Sequence, residues 1–126
     1  MIRMGILRTT IEIAPVDRPD QRIVLSDVMV DTAAEYSWAP ANVLADLGVA
    51  PLRIERFESA DGRVIERPIG FVMLFAAGRS APSIFAFGNR GDMTLLGAYG
   101  LEGLNLRVDL GRRELVPAGP VAAAAA

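Results

Sequence analysis

The chain of 126 residues contains no cysteine and no histidine, and its 13 basic residues are all arginine. These absences exclude thiol nucleophiles, disulfides, histidine-based triads, thiolate or imidazole metal sites, lysine Schiff bases and the lysine of a P-loop. A net charge of −2 with scattered arginines predicts no nucleic-acid partner. No apolar run approaches the ~18 residues that a membrane span needs, and the first residues do not resemble a signal peptide, so we expect a cytoplasmic protein without a membrane partner.

Apolar residues alternate with a period of two through most of the chain, which predicts a mainly β domain over residues 1–117. The predicted strands cover residues 4–13, 22–30, 52–59, 63–74, 83–87, 104–110 and 114–116. Short helices are expected over residues 40–47 and from Gly97 through Glu102. Residues 118–126 form a low-complexity, Ala-rich tail.

A few aromatic and turn residues add detail to this outline. Asp61-Gly62 is a strong hairpin signal between the third and fourth strands. Trp38, the only tryptophan, is predicted in the core or at an interface rather than as a platform for substrate. Four phenylalanines are predicted to lie in the core: Phe71, Phe75, Phe85 and Phe87.

Asp31 is the strongest candidate for chemistry, because the missing residue types leave carboxylates as the main catalytic groups. It ends the apolar run Val28-Met29-Val30 and precedes Thr32 and two small residues, Ala33 and Ala34. A backbone at the end of a buried strand can hold such a carboxylate still. The competing structural interpretation is an Asx turn that stabilises the bend after the strand. Asp109 in Val108-Asp109-Leu110 is a rival acid, although a hairpin turn explains it better.

Several segments in order resemble the retropepsin family, the retroviral-type homodimeric aspartic proteases, and in particular its bacterial branch. The family signature, two apolar residues followed by Asp-Thr/Ser-Gly-Ala, corresponds to Met29-Val30-Asp31-Thr32-Ala33-Ala34. The family's second signature, two apolar residues and a glycine before a helix, corresponds to Leu95-Leu96-Gly97. Residues 52–69 correspond to the flap hairpin. The resemblance implies a closed acid-protease β-barrel with a flap hairpin and two short helices.

The resemblance also implies roles for individual residues. Asp31 and the same residue of a second copy would form a catalytic dyad that hydrolyses peptide bonds of a peptide or protein substrate, without metal or other cofactor. Thr32 would hydrogen-bond across the dimer, with Ala33 and Ala34 as its supporting neighbours. Substrate would be contacted by Ala33, by Glu35 and by the hairpin tip of Ala60, Asp61 and Gly62.

Two departures from the family pattern motivate an alternative. The family has glycine where this chain has Ala33, and a Cβ there could crowd the substrate. Retroviral members also place an arginine after the second glycine, but Ala98 and Tyr99 follow Gly97 here, so Glu35 is expected to lack that partner. The alternative function is a catalytically impaired pseudo-protease that binds peptides or only dimerises. A third possibility is a β-barrel scaffold domain, which predicts a monomer.

Overall fold

The computed structural model describes residues 7–125, which form a mainly β fold with two short helices. Neither helix within these residues is long and apolar enough to span a membrane. The elements in chain order are β1 Leu7–Ala14, β2 Ile23–Val30, β3 Ser37–Pro40, α1 Ala41–Asp46, β4 Arg53–Glu58, β5 Val64–Ala76, β6 Arg79–Gly88, β7 Leu95–Leu96, α2 Ala98–Leu104, β8 Leu106–Asp109 and β9 Glu114–Pro117.

Six strands form a ring in the order β1-β2-β7-β3-β6-β5, because β5 also pairs with β1. The pairs β2–β7 and β3–β6 are parallel, while the other pairs are antiparallel. Among the described strands, β4 pairs only with β5 and projects as a hairpin from the ring, and β8 and β9 form a separate two-stranded sheet. The core inside the ring includes Ile11, Val28, Leu74, Phe85 and Leu96.

Strand β3 is an element that the sequence analysis missed. Residues 37–40 lie between β6 and β7, pairing in parallel with β6 and at Trp38 with Leu95. Four residues are too few to show a clear alternation, so the strand is defined by its neighbours rather than by its own pattern. Pro40 ends β3 and precedes the first residue of α1, so the proline lies one position before the helix rather than in its first turn.

Two other element boundaries differ from the prediction. Strand β6 begins at Arg79 instead of residue 83, because Ala77 and Gly78 both have positive φ and form a tight hairpin turn with β5. Helix α2 continues to Leu104, and the next strand starts at Leu106 rather than residue 104. Asn105 separates the two elements with a left-handed conformation, which commonly ends a helix.

The core prediction for the phenylalanines was wrong for Phe71 and Phe75. The side chain of Phe71 is 48% exposed because it lies on the outward face of β5, whereas Phe85 and Phe87 are buried. Phe75 also lies on the outward face, where the guanidinium of Arg22 covers its ring at 3.7 Å. Alternation along β5 therefore decides which aromatic residues reach the core.

Candidate active site

Asp31 lies immediately after β2, in a turn that fixes its backbone and one carboxylate oxygen. Its amide donates a hydrogen bond to the carbonyl of Leu96 at 2.9 Å, and its own carbonyl accepts one from Ala34. The amide of Ala33 donates to Oδ1 of Asp31 at 3.0 Å, which is the Asx-turn contact expected from the competing structural interpretation. Within residues 7–125, Oδ2 has no hydrogen-bond partner. One carboxylate oxygen is thus held by the turn and the other is available.

A second segment, residues 95–99, holds the loop of residues 31–36, here called the Asp31 loop. The amide of Ala98 donates to the carbonyl of Ala34 at 2.7 Å, and that of Tyr99 donates to the carbonyl of Glu35 at 3.0 Å. The amide of Gly97 donates to the fully buried hydroxyl of Ser37 at 3.0 Å. These contacts join residues about sixty positions apart and hold the loop that contains Asp31 in place.

The close approach of residues 95–99 to the Asp31 loop requires glycine at position 97. A Cβ at this position would lie 2.5 Å from the carbonyl oxygen of Tyr36 and 2.9 Å from that of Ala34. Its φ of −95° is ordinary, so space rather than backbone conformation selects glycine here. The second signature singled out on sequence therefore packs directly against the first.

Glu35 has a partner that the sequence analysis did not identify. The hydroxyl of Tyr99 donates a hydrogen bond to Oε2 of Glu35 at 3.1 Å. This bond and the negative charge of Glu35 raise the pKa of Tyr99 above its usual value. Tyr99 thus contacts Glu35, for which the sequence has no arginine partner after Gly97. The sequence contains no signal for this contact, because Tyr99 and Glu35 are 64 positions apart in the chain.

A groove of about 780 Å³ lies between the Asp31 loop and the β4–β5 hairpin. Six of the predicted site residues line it: Asp31, Ala33, Ala34, Glu35, Ala60 and Leu95. The others do not line the groove: Thr32, Asp61, Gly62, Leu96 and Gly97. Leu96 and Gly97 instead support the loop from behind, and Thr32 is exposed beside Asp31.

The hairpin tip is a three-residue turn stabilised by its own side chains. The amide of Gly62 donates to the carbonyl of Ser59, and Gly62 adopts the left-handed φ of +85° that such turns require. The carboxylate of Asp61 accepts hydrogen bonds from the hydroxyl of Ser59 and from the amide and guanidinium of Arg63. These bonds, with that of Ser59 the largest contribution, lower the pKa of Asp61. The carboxylate of Asp61 is therefore engaged within the tip.

The base of the hairpin is fixed by an ion pair between Arg67 on β5 and Asp92 in the loop before β7. The guanidinium donates to both carboxylate oxygens, at 2.7 and 3.2 Å, and the amide of Asn89 donates to the same carboxylate. The hydrogen bonds from Arg67 lower the pKa of Asp92. Because Asp92 also lines the groove, this pair connects the hairpin to the side of the groove that faces it, here called the wall.

Ala33 carries no backbone strain in place of the family's glycine. It is absent from the residues with positive φ, so its Cβ is compatible with the turn. Ala33 is exposed and lines the groove, where its Cβ occupies space next to the candidate acid. The Cβ of Ala33 therefore takes up space in the groove without straining the backbone.

The described residues contain no group of three or more acidic side chains arranged to hold a metal ion. No family model matches the chain, and no curated protein sequence matches it. Function is therefore inferred from the groove and its carboxylate.

Proposed function

We propose that this chain is one subunit of a homodimeric aspartic endopeptidase of retropepsin type. The observation that carries the proposal is the carboxylate of Asp31, which has one oxygen fixed by the amide of Ala33 and the other unpaired within residues 7–125. This carboxylate lines a groove covered by a hairpin. A cleft that offers one oriented acid and room for an extended chain suits peptide hydrolysis.

The second carboxylate of the dyad would come from a second copy of the chain. Of the four other acids in the groove, three are engaged: Glu35 with Tyr99, Glu55 with Arg53 and Asp92 with Arg67. The fourth, Glu58, lies at the end of β4 in the covering hairpin rather than in the Asp31 loop. Thr32 is exposed beside Asp31, on the side where a second subunit would meet it in the proposed dimer. A two-fold axis at this point would place two Asp31 residues together.

Hydrolysis would follow the chemistry that two adjacent carboxylates allow. The two carboxylates would share one proton, since like charges about 3 Å apart do not both ionise, as the aspartic protease dyad illustrates. One Asp31 would take a proton from water as the oxygen attacks the peptide carbonyl, while the other would protonate the carbonyl oxygen. Collapse of the tetrahedral intermediate breaks the C–N bond. The carboxyl that took the proton from water would give it to the leaving nitrogen, while the other carboxylate would recover a proton from a hydroxyl of the intermediate.

The substrate would bind in an extended conformation. Within residues 7–125, strand β4 pairs only with β5, so its other edge offers backbone donors and acceptors to an added strand. Side chains on alternate positions of the hairpin, such as Phe57 and Ile65, line the groove from above. Backbone pairing would align the peptide, and these side chains would contact it.

The direct test compares three proteins on a peptide library between acid and neutral pH: the unmodified chain, Asp31→Asn and the matched control Asp109→Asn. We expect Asp31→Asn to lower kcat/KM by at least about 10³-fold, since it removes the acid–base group, and Asp109→Asn to retain activity. Equal cleavage by the unmodified chain and Asp31→Asn would refute the proposal.

Subunit mixing tests whether two chains share one site. A roughly equal mixture of unmodified and Asp31→Asn chains leaves about one quarter of the dimers with two Asp31 residues. We therefore expect the activity per unmodified chain to fall to about half after subunit exchange. Constant activity per unmodified chain would show that a single chain is sufficient.

A catalytically impaired, peptide-binding protein is the second candidate, and the Cβ of Ala33 in the groove is the observation that favours it. Ala33→Gly distinguishes the two candidates. A large gain in cleavage over a nearly inactive unmodified chain would support impairment, whereas high activity of the unmodified chain would rule it out.

A further inference from the structure

Two aromatic rings meet across the groove, one from each side. Trp38 lies on β3 in the wall, and Phe57 lies on β4 in the hairpin. Their ring centroids are 4.8 Å apart with the planes tilted by 59°, a distance at which the rings are in contact. Tyr36 packs against the edge of Phe57 at 5.8 Å and supports the pair. No side chain fits between wall and hairpin here while the rings remain in place.

The groove is different on the side of Asp31. Ala33 and Ala34 present only methyl groups there, and Met93 is 48% exposed. The aromatic contacts between the wall and the hairpin within the described residues all involve Phe57, which meets Trp38 and Tyr36. The groove is thus filled where Phe57 meets Trp38 and Tyr36, whereas only small side chains occupy it at Ala33 and Ala34.

We propose that Trp38 and Phe57 determine specificity by filling one side-chain subsite beside Asp31, so that a bound peptide must carry Gly, Ala or Ser there. The inference rests on the proposed function, because it assigns a substrate class to that site. A large side chain would have to separate the two rings and lose their contact. One extra or missing methylene group in a hydrophobic pocket changes kcat/KM by about 10- to 200-fold.

The two-fold symmetry of the proposed dimer makes this specificity more distinctive. Each subunit would contribute one Trp38–Phe57 pair, on opposite sides of the two Asp31 residues. Large residues are therefore excluded at two substrate positions, equally distant from the scissile bond. A selectivity that arose from only one end of the groove would not give this symmetric pattern.

The first measurement uses a proteome-derived peptide library and mass spectrometry to count residues around each cleaved bond. Among the peptides cleaved by the unmodified chain, we expect Leu and Phe to be depleted at least tenfold at two positions placed symmetrically about the cleaved bond. Phe57→Ala should reduce this depletion to less than about threefold, since it opens the subsite. Phe57→Leu is a second variant that keeps apolar volume if Phe57→Ala fails to fold. The exposed Phe71 supplies the matched control Phe71→Ala, which should leave the depletion unchanged.

The second measurement reports binding without catalysis. Trp38 is the only tryptophan, so its emission reports occupation of the groove. The Asp31→Asn protein is titrated with two peptide pools. One pool carries Ala, Gly or Ser at every position and the other carries Leu, Phe or Val. Every peptide ends in Arg for solubility. When Phe57→Ala is added to the Asp31→Asn protein, we expect the ratio of its affinities for the two pools to change at least tenfold, in favour of the pool with large residues.

The outcomes separate the inference from the proposed function. Cleavage without depletion at symmetric positions, or depletion that Phe57→Ala leaves unchanged, would overturn the inference while hydrolysis stands. A shifted affinity ratio without any cleavage would overturn hydrolysis while the specificity stands. An unchanged affinity ratio together with no cleavage would overturn both.

Discussion

Asp31 and Asp109 follow the same local pattern and have different environments. Each follows a valine, Asp31 directly after the end of β2 and Asp109 as the last residue of β8. Each accepts a backbone hydrogen bond on Oδ1, from Ala33 at 3.0 Å and from Arg112 at 3.1 Å. Asp109 belongs to the turn of the isolated β8–β9 hairpin, where the guanidinium of Arg112 lies 3.8 Å from its carboxylate. Asp31 instead lies beneath a second hairpin, at a groove.

The difference between the two acids comes from distant segments rather than from the motif. Residues 95–99 supply four backbone contacts to the strand end and loop around Asp31 and to Ser37. Residues 53–67 supply the cover of the groove. In the turn after Asp109, the carboxylate of Asp109 itself accepts the hydrogen bond from the backbone of Arg112. A strand-end acid becomes a candidate catalyst when long-range packing both holds it and leaves one face open.

The largest effect is expected from adding a methyl group behind the Asp31 loop. Gly97→Ala should lower the free energy of unfolding by about 2–4 kcal/mol, because the Cβ would overlap backbone oxygens that cannot move independently. Gly111→Ala beside Asp109 is the matched control, since its Cβ would meet only Asp109 Oδ1 at 3.4 Å. We expect a change within about 0.5 kcal/mol there. Equal effects in urea unfolding would contradict the proposed packing difference.

A smaller difference is expected between two ion-paired acids. Asp92→Asn should cost about 1–3 kcal/mol, because Arg67 and Asp92 form a bidentate pair with side chains only 14% and 21% exposed. Asp109→Asn should cost less than about 1 kcal/mol, because its partner Arg112 is 74% exposed. Urea unfolding at neutral pH measures both.

The pH dependence of Asp92 gives an independent check. Its folded pKa is lowered, so its stabilisation is complete above the unfolded value of about 3.9 and is lost as the pH falls through the folded value. The stability difference between the unmodified chain and Asp92→Asn should therefore shrink in acid. A difference that grows below pH ~4 would refute this linkage.

The smallest effect concerns the contact between Tyr99 and Glu35. Glu35→Gln should shift the titration of Tyr99 to lower pH, because the carboxylate that raises the pKa of Tyr99 is lost. The raised pKa means that this contact stabilises the fold below pH ~10 and is lost as Tyr99 ionises. Phenolate absorbance measures the shift, and Tyr99→Phe assigns it to one of the two tyrosines. Glu58→Gln, another groove acid, is the control; the same shift in both variants would argue against a specific contact.

Sequence patterns were sufficient for the elements with strong local signals. Alternation located the long strands, and Asp61-Gly62 located the hairpin tip because the glycine takes a positive φ. The two segments that the signatures singled out do pack together in the fold. Their contact could be anticipated only through the family resemblance, since the residues of one do not specify the partner segment.

The parts that sequence analysis missed depend on contacts between distant residues. Strand β3 is short and defined by pairing with β6 and β7. The Tyr99–Glu35 hydrogen bond spans 64 positions, and the Trp38–Phe57 contact joins a wall to a hairpin. Exposure of Phe71 follows from its position on the outward face of β5. None of these features has a periodicity or a turn signal of its own.

The distance between the Asp31 carboxylates of two subunits tests the central claim most directly. A crystal structure of the purified 126-residue chain would supply it. We expect a two-fold axis at the groove, with carboxylate oxygens of the two Asp31 residues about 3 Å apart. Carboxylates more than about 6 Å apart, or a monomer with Asp31 facing only solvent, would contradict the proposed dyad.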